Sequence, residues 1–216
     1  MNIFKKWREP MNALTHLIPL IIFIPIVFYL VFKGYMQGGI YSALAFLVFA
    51  FSVIGLYSAS TIYHMLPAKE KTIAILKKID HMMIFVLIAG TYTPICLISL
   101  KGVWGYSMFA IVWIIAIFGI FLKLFWIKAP RWLSTSIYVI MGWVAVVAFY
   151  PIIKAIHWSG ILLLILGGIL YTIGAVIYAT KHPKINFKYL GFHEIFHLFV
   201  IAGSVCYIVF MFVYVL

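Results

Sequence analysis

Two histidines four positions apart, His193 and His197, stand at the head of the last apolar stretch of the chain. In a helix this spacing puts both imidazoles on one face, about 6 Å apart along the axis. That suits two nitrogen ligands on one tetrahedral metal ion, although interfacial imidazoles bonded to carbonyls or water would show the same spacing. A third histidine, His64, closes another apolar stretch. Three neutral imidazoles plus a water make the open four-coordinate arrangement of catalytic zinc. The run His193-Glu194-Ile195-Phe196-His197 also reads as H-E-x-x-H, in which the glutamate is the general base of a metalloprotease. Glu194 equally suits the first turn of a helix, where the macrodipole favours an acid, or the headgroup layer of a membrane.

Asp80 is the better candidate base, because it opens a third apolar stretch at the same depth. A carboxylate there can orient a metal's water and accept its proton. Asp is also a good helix N-cap, so the same position reads as the start of a span. Ser60 lies one helical turn before His64 and shares its face, as a nucleophile, an outer partner or a packing residue. Packing or outer support fits better, since small residues are common where spans meet and a metal-bound imidazole cannot also act as a free base. His16 opens the first apolar stretch. Whether His81 faces the same centre depends on helix rotation.

These side chains need elements that hold them at one depth, and the composition supplies those elements. Of 216 residues, 67% are hydrophobic, 19% aromatic and only 9% charged, with a mean hydropathy of +1.18. A soluble domain is about half apolar and a quarter charged. The excess excludes a globular enzyme, a disordered tail and a nucleic-acid binder, and predicts an integral, multi-pass protein of the cell membrane. Apolar runs predict an all-α bundle of seven transmembrane helices, at Thr15–Phe32, Tyr41–Met65, His81–Leu100, Val103–Leu122, Leu133–Ile153, Gly160–Thr180 and Gly191–Leu216. No repeat or second domain interrupts them, so residues 1–216 read as one domain. The basic start Met1–Glu9 ahead of an uncleavable apolar run reads as a signal anchor. Gly90-Thr91-Tyr92-Thr93-Pro94 predicts a kink in the third span. Cys96 and Cys206 lie in apolar runs and read as small hydrophobes.

Charge orients the bundle. Lys5, Lys6, Arg8, Lys69, Lys71, Lys77, Lys78, Lys123, Lys128, Arg131, Lys181, Lys184 and Lys188 fall on one side, against Lys33, Lys101 and Lys154 on the other. The positive-inside rule then puts the N-terminus in the cytoplasm and the C-terminus outside. His16, His64, Asp80, His193 and His197 all fall at cytoplasmic ends. Ionisable groups within a membrane usually face a cavity or one another.

Arg8-Glu9-Pro10-Met11-Asn12-Ala13-Leu14-Thr15-His16, Ser60-x-x-x-His64, Asp80 with Gly90-Thr91-Tyr92-Thr93-Pro94, and His193-x-x-x-His197, in this order, resemble the hemolysin III family. That family is the bacterial branch of the progestin and adipoQ receptors, in a superfamily that includes alkaline ceramidases. The resemblance spans essentially the whole chain. It implies a zinc ion near the cytoplasmic face on the residues matching His64, His193 and His197, with Asp80 at the metal's water and Ser60 in the same constellation. Glu9, Asn12 and His16 match a further family motif, with His16 as support or substitute ligand; Glu194 has no carried-over role.

The leading expectation is a zinc-dependent hydrolase of a lipid amide or ester, with the lipid entering from the bilayer. The alternatives are a pore-forming cytolysin, which the family name suggests, and a sensor of membrane lipid state with structural zinc. A pore wants a polar lining or rings of charge, whereas polar residues in the outer halves of these spans are sparse. A structural site would need a fourth protein ligand from His16, His81, Asp80 or Glu194.

Overall fold

The computed structural model describes residues 6–126, 129–184, 187 and 190–216. Lys5, Lys128 and Lys188 of the charge bias lie outside them. With little water to satisfy backbone polar groups, an apolar chain must bond them within each segment. The described elements are accordingly helical, apart from one isolated bridge between Phe187 and Leu190. The helices are α1 (Pro10–Met65), α2 (Glu70–Pro94), α3 (Gly102–Phe125), α4 (Arg131–Trp143), α5 (Phe149–Ala155), α6 (Trp158–Thr180) and α7 (Phe192–Phe210). A π-helical turn, Ile95–Leu100, extends α2, and a 3-10 stretch, Val144–Ala148, joins α4 to α5. Among the described residues, six helical segments are long and apolar enough to cross a membrane. The chain is a multi-pass membrane protein, and outward-facing Ile21, Phe28, Phe51, Ile114, Phe118 and Val147 are the side chains that lipid would cover.

The first segment differs from the expected pair Thr15–Phe32 and Tyr41–Met65. Its 56 residues as a straight helical rod would run about 84 Å, far beyond the ~30 Å hydrocarbon core. Instead the helix carries on through Lys33-Gly34 and breaks at Gly39, with φ 66° and ψ −162°. That conformation is essentially restricted to glycine. The chain then doubles back until its ends meet. The Glu9 amide donates to the His64 carbonyl at 2.9 Å and the Arg8 amide to the Met65 carbonyl at 3.3 Å. Phe23, Val27 and Leu30 of the outgoing half share one core with Phe46, Phe49 and Val53 of the returning half.

Helix α2 corrects a second expectation. It starts at Glu70, after Lys69, rather than at His81. Asp80 therefore lies about three turns inside a helix, where no N-cap is needed, and the capping reading falls. The stretch Lys77-Lys78, polar enough to read as loop, is an extension of the helix beyond its apolar part. Further along, α2 runs through Gly90 to Pro94 and then widens into the π turn. Pro94 has no N–H to give, and the widened turn follows it directly. Nearby, the Thr91 and Thr93 hydroxyls donate to the carbonyls of Leu87 and Ala89 at 2.8 and 2.9 Å. Gly90 lets α2 approach α1, since a Cβ there would sit 2.2 Å from Ser52 Oγ. Both cysteines are unpaired, Cys96 buried and Cys206 half-buried.

Helix α7 packs against α6 and α1. A buried polar knot holds the three together: Tyr57 OH donates to Ser204 Oγ at 2.9 Å, and Tyr171 OH lies 2.9 Å from the same atom. This contact fixes α7 in rotation against the returning half of α1. The rotation decides which way the histidines at its start face.

Candidate metal centre

His64 stands at the end of α1, and His193 and His197 lie in the first two turns of α7. The packing of the two helices brings the three imidazoles together, with one ligand nitrogen from each within 4.8 Å of the others. His64 and His197 are each 2% exposed. Nε2 of His193 lies 3.2 Å from Nε2 of His64. Two nitrogens on one tetrahedral zinc, each at ~2.0–2.1 Å, would stand roughly 3.3 Å apart. The separation is thus that of neighbouring ligands, and the cluster can hold a metal ion.

Protonation favours the same use. Thr15 Oγ1 donates to the Asn12 carbonyl at 2.8 Å, which spends its only proton. At 2.8 Å from His197 Nδ1 it can then only accept. Nδ1 of His197 must carry the hydrogen, and its Nε2 keeps a free lone pair. His64 is pinned likewise, because its Nδ1 is hydrogen-bonded to the Glu9 carboxylate. A carboxylate behind a histidine fixes the ring's tautomer and orientation and makes the other nitrogen a better ligand. Glu9 also pairs with the Arg8 guanidinium, Nε to Oε1 at 3.3 Å, while Arg8 lies over the Tyr63 ring. The hydrogen bond from His64 outweighs desolvation and, with the Arg8 guanidinium, holds the Glu9 carboxyl down at about 2. It stays an acceptor throughout the neutral range.

Glu9→Gln is expected to weaken metal affinity by about 10–100-fold, the usual cost of losing an outer partner. Competition against a chelator of known affinity would measure it, and unchanged affinity would mean that Glu9 does not support the ligand.

The other expected residues separate clearly. Asp80 is buried and lines, with His16, His193 and His197, a cavity of about 90 Å³. Ser60 lies beside Asp80, its buried Oγ without a hydrogen-bond partner of good geometry. His16 stacks on His197, with centroids 3.7 Å apart, and meets the edge of Tyr57. Among the described residues neither nitrogen of His16 has a hydrogen-bond partner. Asn12 reaches Glu9 only at 3.5 Å, and its carbonyl is what engages Thr15. Glu194 turns the other way, its Oε2 accepting the Gly191 amide at 2.8 Å. It caps its own helix, as the first-turn reading expects and the H-E-x-x-H reading does not. His81 lines the cavity too, with Nε2 3.3 Å from Tyr178 OH.

Away from the histidines the cavity is apolar, with Leu56, Ile84 and Leu87 among its walls. A second cavity of about 110 Å³ continues it, sharing Ile88, Gly142, Trp143, Gly168, Tyr171 and Tyr207. The imidazoles therefore stand at one end of an apolar slot through the bundle. Thr15 is the member that sequence reasoning missed. Its one signal is its register, three residues after Asn12 and six after Glu9 on the same helix.

A family model described as "Haemolysin-III related" matches residues 4–208. The chain is 41% identical to "Hemolysin-3 homolog" of Bacillus subtilis (strain 168) over 202 residues, 94% of this chain and 92% of that protein. It is 40% identical to "Hemolysin-3" of Bacillus cereus over 206 residues, 94% and 90% of the two chains. More distantly, it is 27% identical to "Adiponectin receptor protein" of Drosophila melanogaster over 236 residues, 94% of this chain and 50% of the receptor.

Proposed function

Because the chain belongs to the haemolysin-III-related family, we propose that it is a zinc-dependent membrane hydrolase of a lipid amide or ester. The observation that carries the reading is a largely buried three-imidazole cluster in which His64 and His197 are each held through Nδ1 and whose neighbouring carboxylate shares an apolar cavity with it. Three neutral nitrogens with room for a fourth group suit catalytic zinc better than a closed structural site. Bound there, zinc would polarise a carbonyl oxygen and lower the pKa of water towards ~7.

The remaining work falls to the chain's own residues. Asp80 faces the cavity without ligating, and serves as the base that takes the proton of the attacking water. Ser60 orients that carboxylate from the preceding helix. Glu9 and Thr15 hold two of the imidazoles in register, and His16 packs behind His197 without becoming a ligand. The apolar slot receives the acyl chain and keeps bulk water from the reacting bond.

The same reading takes the two halves of α1 as separate crossings, which makes seven with the five segments that follow. Lys69, Lys71, Lys77, Lys78, Lys123 and Arg131 then mark the cytoplasmic side, with the N-terminus inside, the C-terminus outside and the metal centre near the inner face. Residues 1–216 act as one domain.

The name of the Bacillus cereus relative supports a second reading, a pore-forming cytolysin. A conducting path would need a polar lining, and the slot beyond the histidines has apolar walls. The test is fatty-acid release from lipid amides and esters by detergent-purified protein. Turnover is expected with zinc, lost on chelation and restored by zinc. A zinc-loaded protein with no turnover on any such lipid would favour a sensor with structural metal, and a zinc-independent conductance would favour the pore.

A further inference from the structure

A third cavity, at the histidine end of the bundle, differs from the slot in the charge of its walls. It measures about 310 Å³ and lies between α2, α3, α4 and α6. Lys77, Lys123 and Arg131 line it, and no carboxylate does. Among the described residues none of these cations is in an ion pair. Lys123 is the telling one, since it is only 3% exposed. Burying an ammonium without a counter-charge is costly in a protein interior, and another cation, Lys77, stands in the same cavity. Arg131 lies over the Tyr178 ring at 5.3 Å, which leaves its guanidinium edge free for a further contact.

Two neutral features point the same way. The cavity takes in Pro130, Arg131 and Ser134, the opening turn of α4. That helix has no side-chain cap at its start, so its positive dipole end faces the cavity without a side-chain acceptor. Among the described residues Ser134 Oγ has no hydrogen-bond partner, and the residue is 2% exposed. Three cations, a bare helix N-terminus and an unspent hydroxyl converge on one space.

We propose that this cavity seats a phosphate group, either the headgroup phosphate of an anionic lipid or free inorganic phosphate. A dianionic tetrahedral oxyanion matches the charge of the walls and the several separate donors. His81, Ile84, Tyr138 and Tyr178 line both this cavity and the slot beside the histidines. A phospholipid whose headgroup sits here has its chains directed at the apolar walls of that slot. The site stands independently of whether the histidine centre turns over any substrate.

The test is calorimetric titration of the full chain in neutral detergent with three probes: inorganic phosphate, short-chain phosphatidic acid and short-chain phosphatidylcholine. The variants are Lys123→Met, which leaves an apolar side chain of similar length in the buried position, and the exposed Arg131→Gln. Saturable binding of phosphatidic acid is expected, weaker by about tenfold or more in each variant for the loss of one charge-assisted contact. Binding of inorganic phosphate as well identifies free phosphate as a sufficient ligand; binding of phosphatidic acid alone identifies the lipid. Equal binding of phosphatidylcholine, no binding of any probe, or binding untouched by Arg131→Gln would overturn the proposal.

Discussion

His64→Ala, His193→Ala and His197→Ala, loaded with zinc and desalted, are each expected to retain no metal, where the parent retains about one ion per chain. The loss should exceed the 10–100-fold or so expected for Glu9→Gln, because a ligand is removed rather than its support. The three losses should also be alike, since each leaves two nitrogens on an ion that needs at least three protein donors to compete with water. His64→Ala has a further consequence, because it takes from the Glu9 carboxylate its imidazole partner and leaves it with Arg8 and the long contact to Asn12. Metal analysis of the purified variants measures the effect, and thermal unfolding of the metal-free forms separates loss of metal from loss of fold. Variants that stay folded and keep their zinc would remove the three-histidine centre from any account of this protein.

Asp80→Asn should leave the metal in place and reduce hydrolysis by about 10²–10⁴, the typical contribution of a positioned general base. Asparagine preserves the size of the side chain and one oxygen acceptor, so the buried surroundings of α2 need not rearrange. What it cannot do is take a proton at neutral pH. The pairing of unchanged zinc with lost turnover distinguishes a base from a ligand, as neither measurement could alone. Full turnover in Asp80→Asn would transfer the proton to another group, and Ser60, His16 and His81 are the neighbours to examine next.

How much of this could be read from the chain depends on the kind of information each residue carries. The three histidines were legible because period and depth are one-dimensional properties: His193 and His197 share a helix face by spacing, and His64 shares their depth by its distance from a span end. Asp80 was legible as a member of the same layer but ambiguous as a cap. Lys77 and Lys78 interrupt the hydropathy although the backbone continues as helix beneath them. Glu194 shows the reverse, since five letters match a protease motif while the side chain bonds the Gly191 amide. Thr15 was not legible. Its task of fixing the His197 proton exists only through the lateral packing of α1 on α7, and a threonine in an apolar run gives no sign of its partner. The basic cavity was hidden for the same reason: Lys77, Lys123 and Arg131 counted as topology markers until three separate helices brought them to one space.

The hairpin turn at Gly39 brings Glu9 and His64 together within the opening part of the chain, whereas His193 lies 129 positions further on. During synthesis, a ligand and its carboxylate support can thus be assembled long before the other two imidazoles leave the ribosome. Only docking of α7 against α1 completes the centre. An ion held there closes a loop of well over half the protein, and such long-range clips restrict the unfolded chain most. Metal uptake would then double as a checkpoint of biogenesis. A chain whose final helix is misinserted would keep half a site and stay empty, which would mark it for the quality-control proteases of the membrane.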